Sequence, residues 1–330
     1  MSMPPTSGLC PVVAAAIDRV TVDPAYRAAT VDDDEITADT ARELVRGLGD
    51  RLYRHLHAGL TTGTNRFPRR DVALERELTE ALPVATTSVT VPVLMVDDDG
   101  AVVVERDGVR VTVAPAAVTA THPDGTVDIA VSTARPALSP GFFLTTQEHS
   151  GEKKAVLRVY LHLRDIPGLL FAWRRVLGWL HQAKADYRAK VISRPEYLPR
   201  RDALVVYLDA GSADLATWLP RVLDGCPGLG EQTSAFAARV HPGVAVAWEP
   251  ADTRVGMREL SFGQHRAMAM ATGLVRQATA PRAASGAESV ARAFVEANID
   301  PLRPWRNLDS PDLPGLCATH IEKRSTDEHV

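Results

Sequence analysis

Lysine is almost missing from this chain: of its 37 basic residues only Lys153, Lys154, Lys184, Lys190 and Lys323 are lysines. Generic surface charge is therefore written in arginine, and a lysine on a strand stands out, because an amine can give up its proton and a guanidinium cannot. Cysteine is nearly as scarce. Cys10, Cys226 and Cys317 are odd in number, widely spaced and form no Cys-x-x-Cys pair, which excludes a disulfide framework and a thiolate zinc site. Aromatic residues make up 5% and no charge of one sign dominates, since 41 acidic residues against 37 basic ones leave a net charge of −4. No global positive field favours nucleic acid or an acidic membrane. The longest early apolar run, Leu9 to Ile17, is too short to span a bilayer and lacks the preceding positive charge of a signal peptide. A cytoplasmic location is the expectation.

The common chemical signatures are also lacking. There is no Gly-x-x-x-x-Gly-Lys loop, Gly-x-Gly-x-x-Gly turn, His-Glu-x-x-His, Gly-x-Ser-x-Gly, or His-Arg-Asp with Asp-Phe-Gly. Nucleotide-binding, zinc-hydrolase, serine-hydrolase and kinase readings lose their support. No organic cofactor or metal is expected.

What is present divides the 330 residues unevenly. Residues 1–37 form an arm rich in proline. From 38 to 150 the pattern predicts helices and a small antiparallel sheet. Leu44, Leu48, Leu52 and Leu56 make a helical stripe that Asp39 or Thr40 caps, and a second helix spans 71–82 with Val72, Leu78 and Leu82 inward. Period-two segments at 88–96, 101–106 and 109–114 are separated by turn residues, among them Asp107-Gly108. Residues 151–300 read as a mixed core: strand 155–163, helix 166–184, strands 188–192 and 203–208, helix 213–223, strand 244–248, then helices from Ser261 and Ala287. Residues 301–330 read as an irregular tail. The fold class is α+β: N-terminal helices and a small antiparallel sheet, then a C-terminal mixed core.

Within that core, alternation along 155–163 puts Arg158, Tyr160 and His162 on one face at about 7 Å intervals, opposite an apolar face. The alternative is the exposed face of an edge strand. Lys190 shares a strand face with Arg188 and is a candidate general base; a stem snorkelling from a strand edge is the competing reading. Arg200, Arg201 and Asp202 stand at the mouth of the next strand, with Asp202 a tether for one of the arginines. Arg254, Arg258 and Arg266 bring further cations near the helix start at Ser261-Phe-Gly-Gln-His-Arg, where unpaired backbone N–H groups favour an anion. Together these segments suit the holding and expulsion of a phosphate.

The stretch from Gly141-Phe-Phe through Arg158-Val-Tyr-Leu-His-Leu, Tyr187-Arg-Ala-Lys-Val and Arg201-Asp-Ala-Leu-Val-Val-Tyr-Leu to Ser261-Phe-Gly-Gln-His-Arg resembles the HopA-type effector family. That family has relatives encoded with lanthipeptide and thioamitide biosynthesis. There the HopA-like protein is regarded as a phosphoserine/phosphothreonine lyase acting after a separate kinase. A more distant similarity, to phosphothreonine lyases of the OspF and SpvC type, implies roles: Lys190 as base, His162 as imidazolium proton donor, and Arg158, Tyr160, Arg201, Arg254 and Arg266 around the phosphate. Tyr160 stands where that pattern has a lysine, and Arg158 is the neighbour that compensates. Which of Arg254, Arg258 and Arg266 match the pattern's last arginines stays open. The implied partners are a phosphorylated precursor peptide, gripped through the 38–150 region, and a Ser/Thr kinase. A non-catalytic adaptor on the same fold is the alternative.

Overall fold

The computed structural model describes residues 8–25, 27–60, 70–106, 108–147, 155–279 and 284–313. Cys317, Asp107, three of the five lysines (Lys153, Lys154 and Lys323), residues 61–69 of the expected loop and residues 314–330 of the expected tail lie outside the described residues.

Helix α1 (Pro11–Ile17) leads into a three-stranded antiparallel sheet of β1 (Val20–Val22), β2 (Ala28–Val31) and β3 (Asp34–Thr37). Helix α2 (Ala41–Leu52) starts at Thr40, whose hydroxyl accepts from the Glu43 amide while the Glu43 carboxylate accepts from the Thr40 amide. This reciprocal cap satisfies two otherwise unpaired donors. The leucine stripe continues beyond Leu52, but as a π-helical segment, Tyr53–Ala58, closed by Gly59 at φ 75°. Such segments are rare and often occur at functional sites. Helix α3 (Val72–Glu80) buries Leu74 and Leu78 and leaves Val72 69% exposed. Val72 was expected inward; at the first turn it points away from the layer that Leu74 reaches one step further round.

Strands β4 (Thr86–Val96), β5 (Val102–Arg106), β6 (Val109–Val113), β7 (Val118–Thr121) and β8 (Thr126–Ser132) make a five-stranded antiparallel sheet in the order β6-β5-β4-β8-β7. Its own small core contains Val91, Val102, Val104, Val113, Val127 and Ile129.

The remaining elements build the main body. They are β9 (Ala134–Ser139), β10 (Phe142–Gln147), β11 (Val156–Leu163), α4 (Ile166–Gln182), β12 (Tyr187–Ile192), β13 (Arg200–Asp209), α5 (Leu219–Val222), β14 (Ala238–His241), β15 (Val244–Trp248), α6 (Phe262–Thr279) and α7 (Gly286–Glu296). Seven strands pair in the order β14-β15-β11-β13-β12-β10-β9, and every pairing is antiparallel. The α+β expectation holds. Because β9 and β10 belong to this sheet, no break in the fold coincides with residue 150. Residues 301–313 also join the body, since the Trp305 carbonyl accepts from the Trp248 amide and Trp305 packs on both main clusters. The helix expected over 213–223 is a 3-10 stretch, Ala210–Trp218, followed by the single turn of α5.

The sheet is a partition with two different sides. On one, Leu157, Val159, Leu161, Leu163, Ala189, Val191, Leu204 and Val206 pack against Leu169, Trp173, Val176, Leu177 and Leu180 of α4. On the other, Tyr160, Val205 and Ala247 pack under Leu44, Leu48 and Leu52 of α2 and Phe262, Met270 and Leu274 of α6. Period-two alternation on β11 and β13 serves both layers at once. The helical cover on the second side does not reach the whole sheet. Towards β12 and β10 the residues of that face, Lys190, Phe142, Leu144 and Thr146, are only half-buried and Arg188 is exposed, while their alternates Ala189, Val191, Phe143 and Thr145 are buried. No helix among the described residues is long and apolar enough to cross a membrane.

Candidate functional site

The cations named from sequence lie mainly on this second side, and register fixes their spacing. Tyr160 and Lys190 both pair with Val205, so Tyr160, Val205 and Lys190 form one cross-strand row. Arg158 and Arg188 both pair with Tyr207 and form the next, and their guanidinium carbons stand 5.1 and 5.4 Å from its ring centroid. His162 lies two residues beyond Tyr160 on the same face. With strands about 4.8 Å apart and about 3.3 Å per residue, the Cα atoms of Lys190 and His162 are roughly 12 Å apart.

Lys190 stands where the helical cover ends. Its ammonium is 4.4 Å from the Phe142 ring centroid, and the Arg200 guanidinium lies over the same ring at 5.4 Å. Among the described residues Lys190 makes no hydrogen bond or ion pair. Arg200 is pinned by Asp202, which accepts from its Nε and, at 3.1 Å, from its Nη2; the same Nη2 donates to the Tyr53 hydroxyl at 2.7 Å. The tether expected of Asp202 is thus to Arg200. Burial alone would raise the Asp202 pKa, but Arg200 and His57 outweigh it and hold the carboxyl well below its ordinary range.

His57 is the residue that sequence reasoning missed. It sits on the π-helical segment, 3% exposed, with Nε2 3.7 Å from Asp202 Oδ2 and Nδ1 2.8 Å from the Ser234 hydroxyl. Its ring meets that of Tyr160 edge-on at 5.0 Å and that of Phe262 at 5.7 Å. Burial pushes its pKa down to about 4, so the imidazole is neutral at pH 7. The positive charge of Lys190 acts on both His57 and Asp202. Two aromatic residues and Leu52 hide the histidine inside an ordinary leucine stripe, and only the break from α-helix to π-helix marks it.

His162 has different surroundings. Its Nδ1 is 3.0 Å from the Gln232 carbonyl oxygen, and burial lowers its pKa, with Arg201 and Arg164 adding to the effect. Both effects work against the imidazolium expected from the resemblance. Arg201 donates to the His55 carbonyl at 3.1 Å and to Gln232 Oε1 at 2.7 Å, while its Nε is buried with no partner among the described residues.

The other arginines have partners within the chain. Arg158 pairs with Glu249 through Nε and Nη2. Beside it the Tyr160 hydroxyl is buried, and burial raises its pKa. Arg254 makes a forked pair with Asp252, and Arg258 pairs with Glu259 on the surface. Arg266, completely buried, donates to the Pro304 carbonyl at 3.0 Å and to Asn307 Oδ1 at 2.9 Å. Burial pulls its pKa down to about 9. It fastens residues 304–307 to α6. The structure thus brings Lys190, Arg200, Asp202, His57 and Tyr160 together, sets His162 and Arg201 against Gln232, and commits Arg158, Arg254 and Arg266 to partners within the chain.

A model of the HopA1 effector protein family matches residues 133–306, slightly more than half the chain. The chain belongs to the HopA1 effector protein family. Two solved structures are similar to it, both effector proteins of Pseudomonas syringae. That from pv. tomato strain DC3000 is 13% identical, with 78% of this chain and 88% of that chain covered and a TM-score of 0.46. That from pv. syringae strain 61 is 13% identical, covering 81% and 92%, with a TM-score of 0.45. No curated protein matches the chain. The HopA1 match opens at β9 and closes at Arg306, so it holds Lys190, Arg200, Asp202 and His162, whereas Tyr53 and His57 reach the same cluster from outside it.

Proposed function

We propose that this HopA1-family protein is a phosphoserine/phosphothreonine lyase that removes phosphate from a peptide and leaves dehydroalanine or dehydrobutyrine. One observation carries the reading: Lys190 is an amine without an ionic partner among the described residues, at a half-open step in the main sheet, beside a buried cationic and imidazole cluster. In the reaction the Lys190 amine takes the proton from Cα of the phosphorylated residue. The freed electron pair forms the Cα=Cβ bond, the Cβ–O bond breaks, and phosphate leaves with that oxygen. General base catalysis of this kind contributes about 10²–10⁴ in rate.

Arg201 and His162 are proposed to meet the leaving phosphate. Arg201 and His162 both contact Gln232, and a bound dianion counteracts the burial that keeps His162 neutral, so the imidazole gains its proton with the substrate rather than before it. Cations aimed at developing charge supply the electrostatic share. The natural substrate is proposed to be a precursor peptide of lanthipeptide type, phosphorylated by a separate kinase. A second reading, a non-catalytic adaptor for such a peptide or kinase, is favoured by the internal pairing of Arg158, Arg254 and Arg266.

The test is mass spectrometry of a phosphothreonine peptide incubated with the protein in EDTA. Loss of phosphoric acid to an alkene is expected, and Lys190→Ala and Lys190→Arg should both reduce it by about 10²–10⁴. Recovery of the plain hydroxyl would identify a phosphatase. An unchanged phosphopeptide would leave the adaptor, and full activity in both variants would keep the lyase but remove Lys190 as its base.

A further inference from the structure

The part of the main sheet that no described helix covers continues past Lys190. Lys190 pairs with Leu144 on β10, and Leu144 pairs with Arg135 on β9, so Lys190, Leu144 and Arg135 form one row on one face. The opposite face is fixed independently: Thr145 pairs with Ala134, Thr145 is buried, and Ala134 packs against the α4-side core. Phe142, whose ring centroid lies 4.4 Å from the Lys190 ammonium, adds a second half-buried apolar side chain to the floor.

Arg135 is half-buried, and its hydrogen-bond partners are main-chain carbonyls, those of Ser132 and Ala134. Among the described residues no carboxylate neutralises it. The charge of Arg106, at the end of β5, acts on it as well, and burial together with that like charge lowers its pKa. A guanidinium kept partly desolvated beside another cation is unfavourable unless something anionic comes to it. Lys190 and Arg135 are two strand spacings apart, roughly 10 Å, which is the length of about three residues of extended peptide.

We infer that the open face selects peptides with an anionic side chain, carboxylate or phosphate, about three positions from the residue that Lys190 acts on. The inference rests on the lyase reading for the placement of the reacting residue over Lys190; the charge of Arg135 then sets the flanking preference. The peptide crosses the strands, its apolar side chains lie on Phe142 and Leu144, and its second anion meets Arg135. Substrates carrying several acidic or phosphorylated residues are the class this row fits.

The experiment compares phosphothreonine peptides that differ only three positions to either side of the phosphothreonine, where they carry Glu, phosphoserine, Ala or Lys. A preference of about tenfold in kcat/KM for Glu or phosphoserine over Ala is expected on one side, equivalent to about 1.4 kcal/mol. Arg135→Lys should keep that ratio, Arg135→Ala should bring it towards one, and Arg135→Glu should turn it in favour of the Lys peptide. Equal rates for all four peptides, or an unchanged ratio in Arg135→Glu, would overturn the inference while leaving the lyase reading intact. If no peptide is converted, the lyase reading fails instead. Fluorescence anisotropy with the same peptides then reads the Arg135 preference as a ratio of affinities, and equal affinities overturn it.

Discussion

Two imidazoles in this protein are seated against glycine, and in each case the absence of a side chain is what makes room. A Cβ on Gly263 would lie 2.3 Å from Cδ2 of His57, and a Cβ on Gly230 would lie 2.3 Å from Nδ1 of His162. Neither glycine needs a positive φ for its turn, so the requirement is close packing alone. Gly263→Ala must drive the buried His57 ring from Ser234 and Asp202, at a cost of about 1–3 kcal/mol. Gly230→Ala moves a half-exposed ring and should cost less stability but more elimination. Urea denaturation and phosphopeptide turnover separate the two; no loss in either assay would show that neither ring position matters. At this scale the sequence was legible where strand alternation rules. Lys190, Arg158, Tyr160 and His162 are on the face that period two assigns to them. It was not legible where partners come from afar. Nothing local in Arg158 or Arg266 tells that Glu249 or residues 304–307 will take up its charge, and His57 reaches Asp202 across 145 residues, read from the two positions in the chain.

Helices α2 and α4 differ in how they are held, and that decides which changes they tolerate. α2 begins at an exposed reciprocal cap, so Thr40→Ala should remove about 1 kcal/mol without touching the buried leucines. α4 contains Gly178, around which a Cβ would meet nothing within 4 Å. Gly178→Ala should therefore stabilise the fold by up to about 1 kcal/mol, because alanine loses less backbone entropy in a helix interior. Thermal or urea unfolding of both variants checks the two signs, and destabilisation by Gly178→Ala would mean that the helix surface there is covered. The long amphipathic helices and the Val-rich strands were readable from their periods. The strands of the 20–37 sheet, with β7, β9 and β14, were not, since three to six residues carry too little alternation to separate a strand from a loop. The 210–222 segment has helical composition, yet Pro220 and the Asp209 cap on Ser212 leave only 3-10 turns and one α turn.

Across the whole molecule, two buried histidines couple the fold to pH. His57 lies between the sheet and the start of α6; His265, fully buried, bridges Asp252 at 2.9 Å and the Arg266 guanidinium, also at 2.9 Å, that holds residues 304–307. Burial pushes each to about 4, against an ordinary value of 6.5. Between those limits the unfolded chain binds the proton and the native protein does not, so stability is complete above about pH 6.5 and falls as pH drops towards 4. At about 1.4 kcal/mol per unit, each histidine accounts for at most about 3 kcal/mol of that loss. Asp202 and Asp252 are shifted below their ordinary range, so their contribution persists through this window and is lost only at lower pH. The urea midpoint should therefore decline between pH 6.5 and 4.5, before carboxylate protonation begins to matter. His265→Gln, which carries no titratable proton at that position, should begin with a lower midpoint at pH 7 and show a shallower decline. A flat profile down to pH 4.5 in the wild type would mean that both imidazoles take up protons inside the fold, and the buried contacts of His57 with Ser234 and of His265 with Asp252 would then have to open without loss of structure.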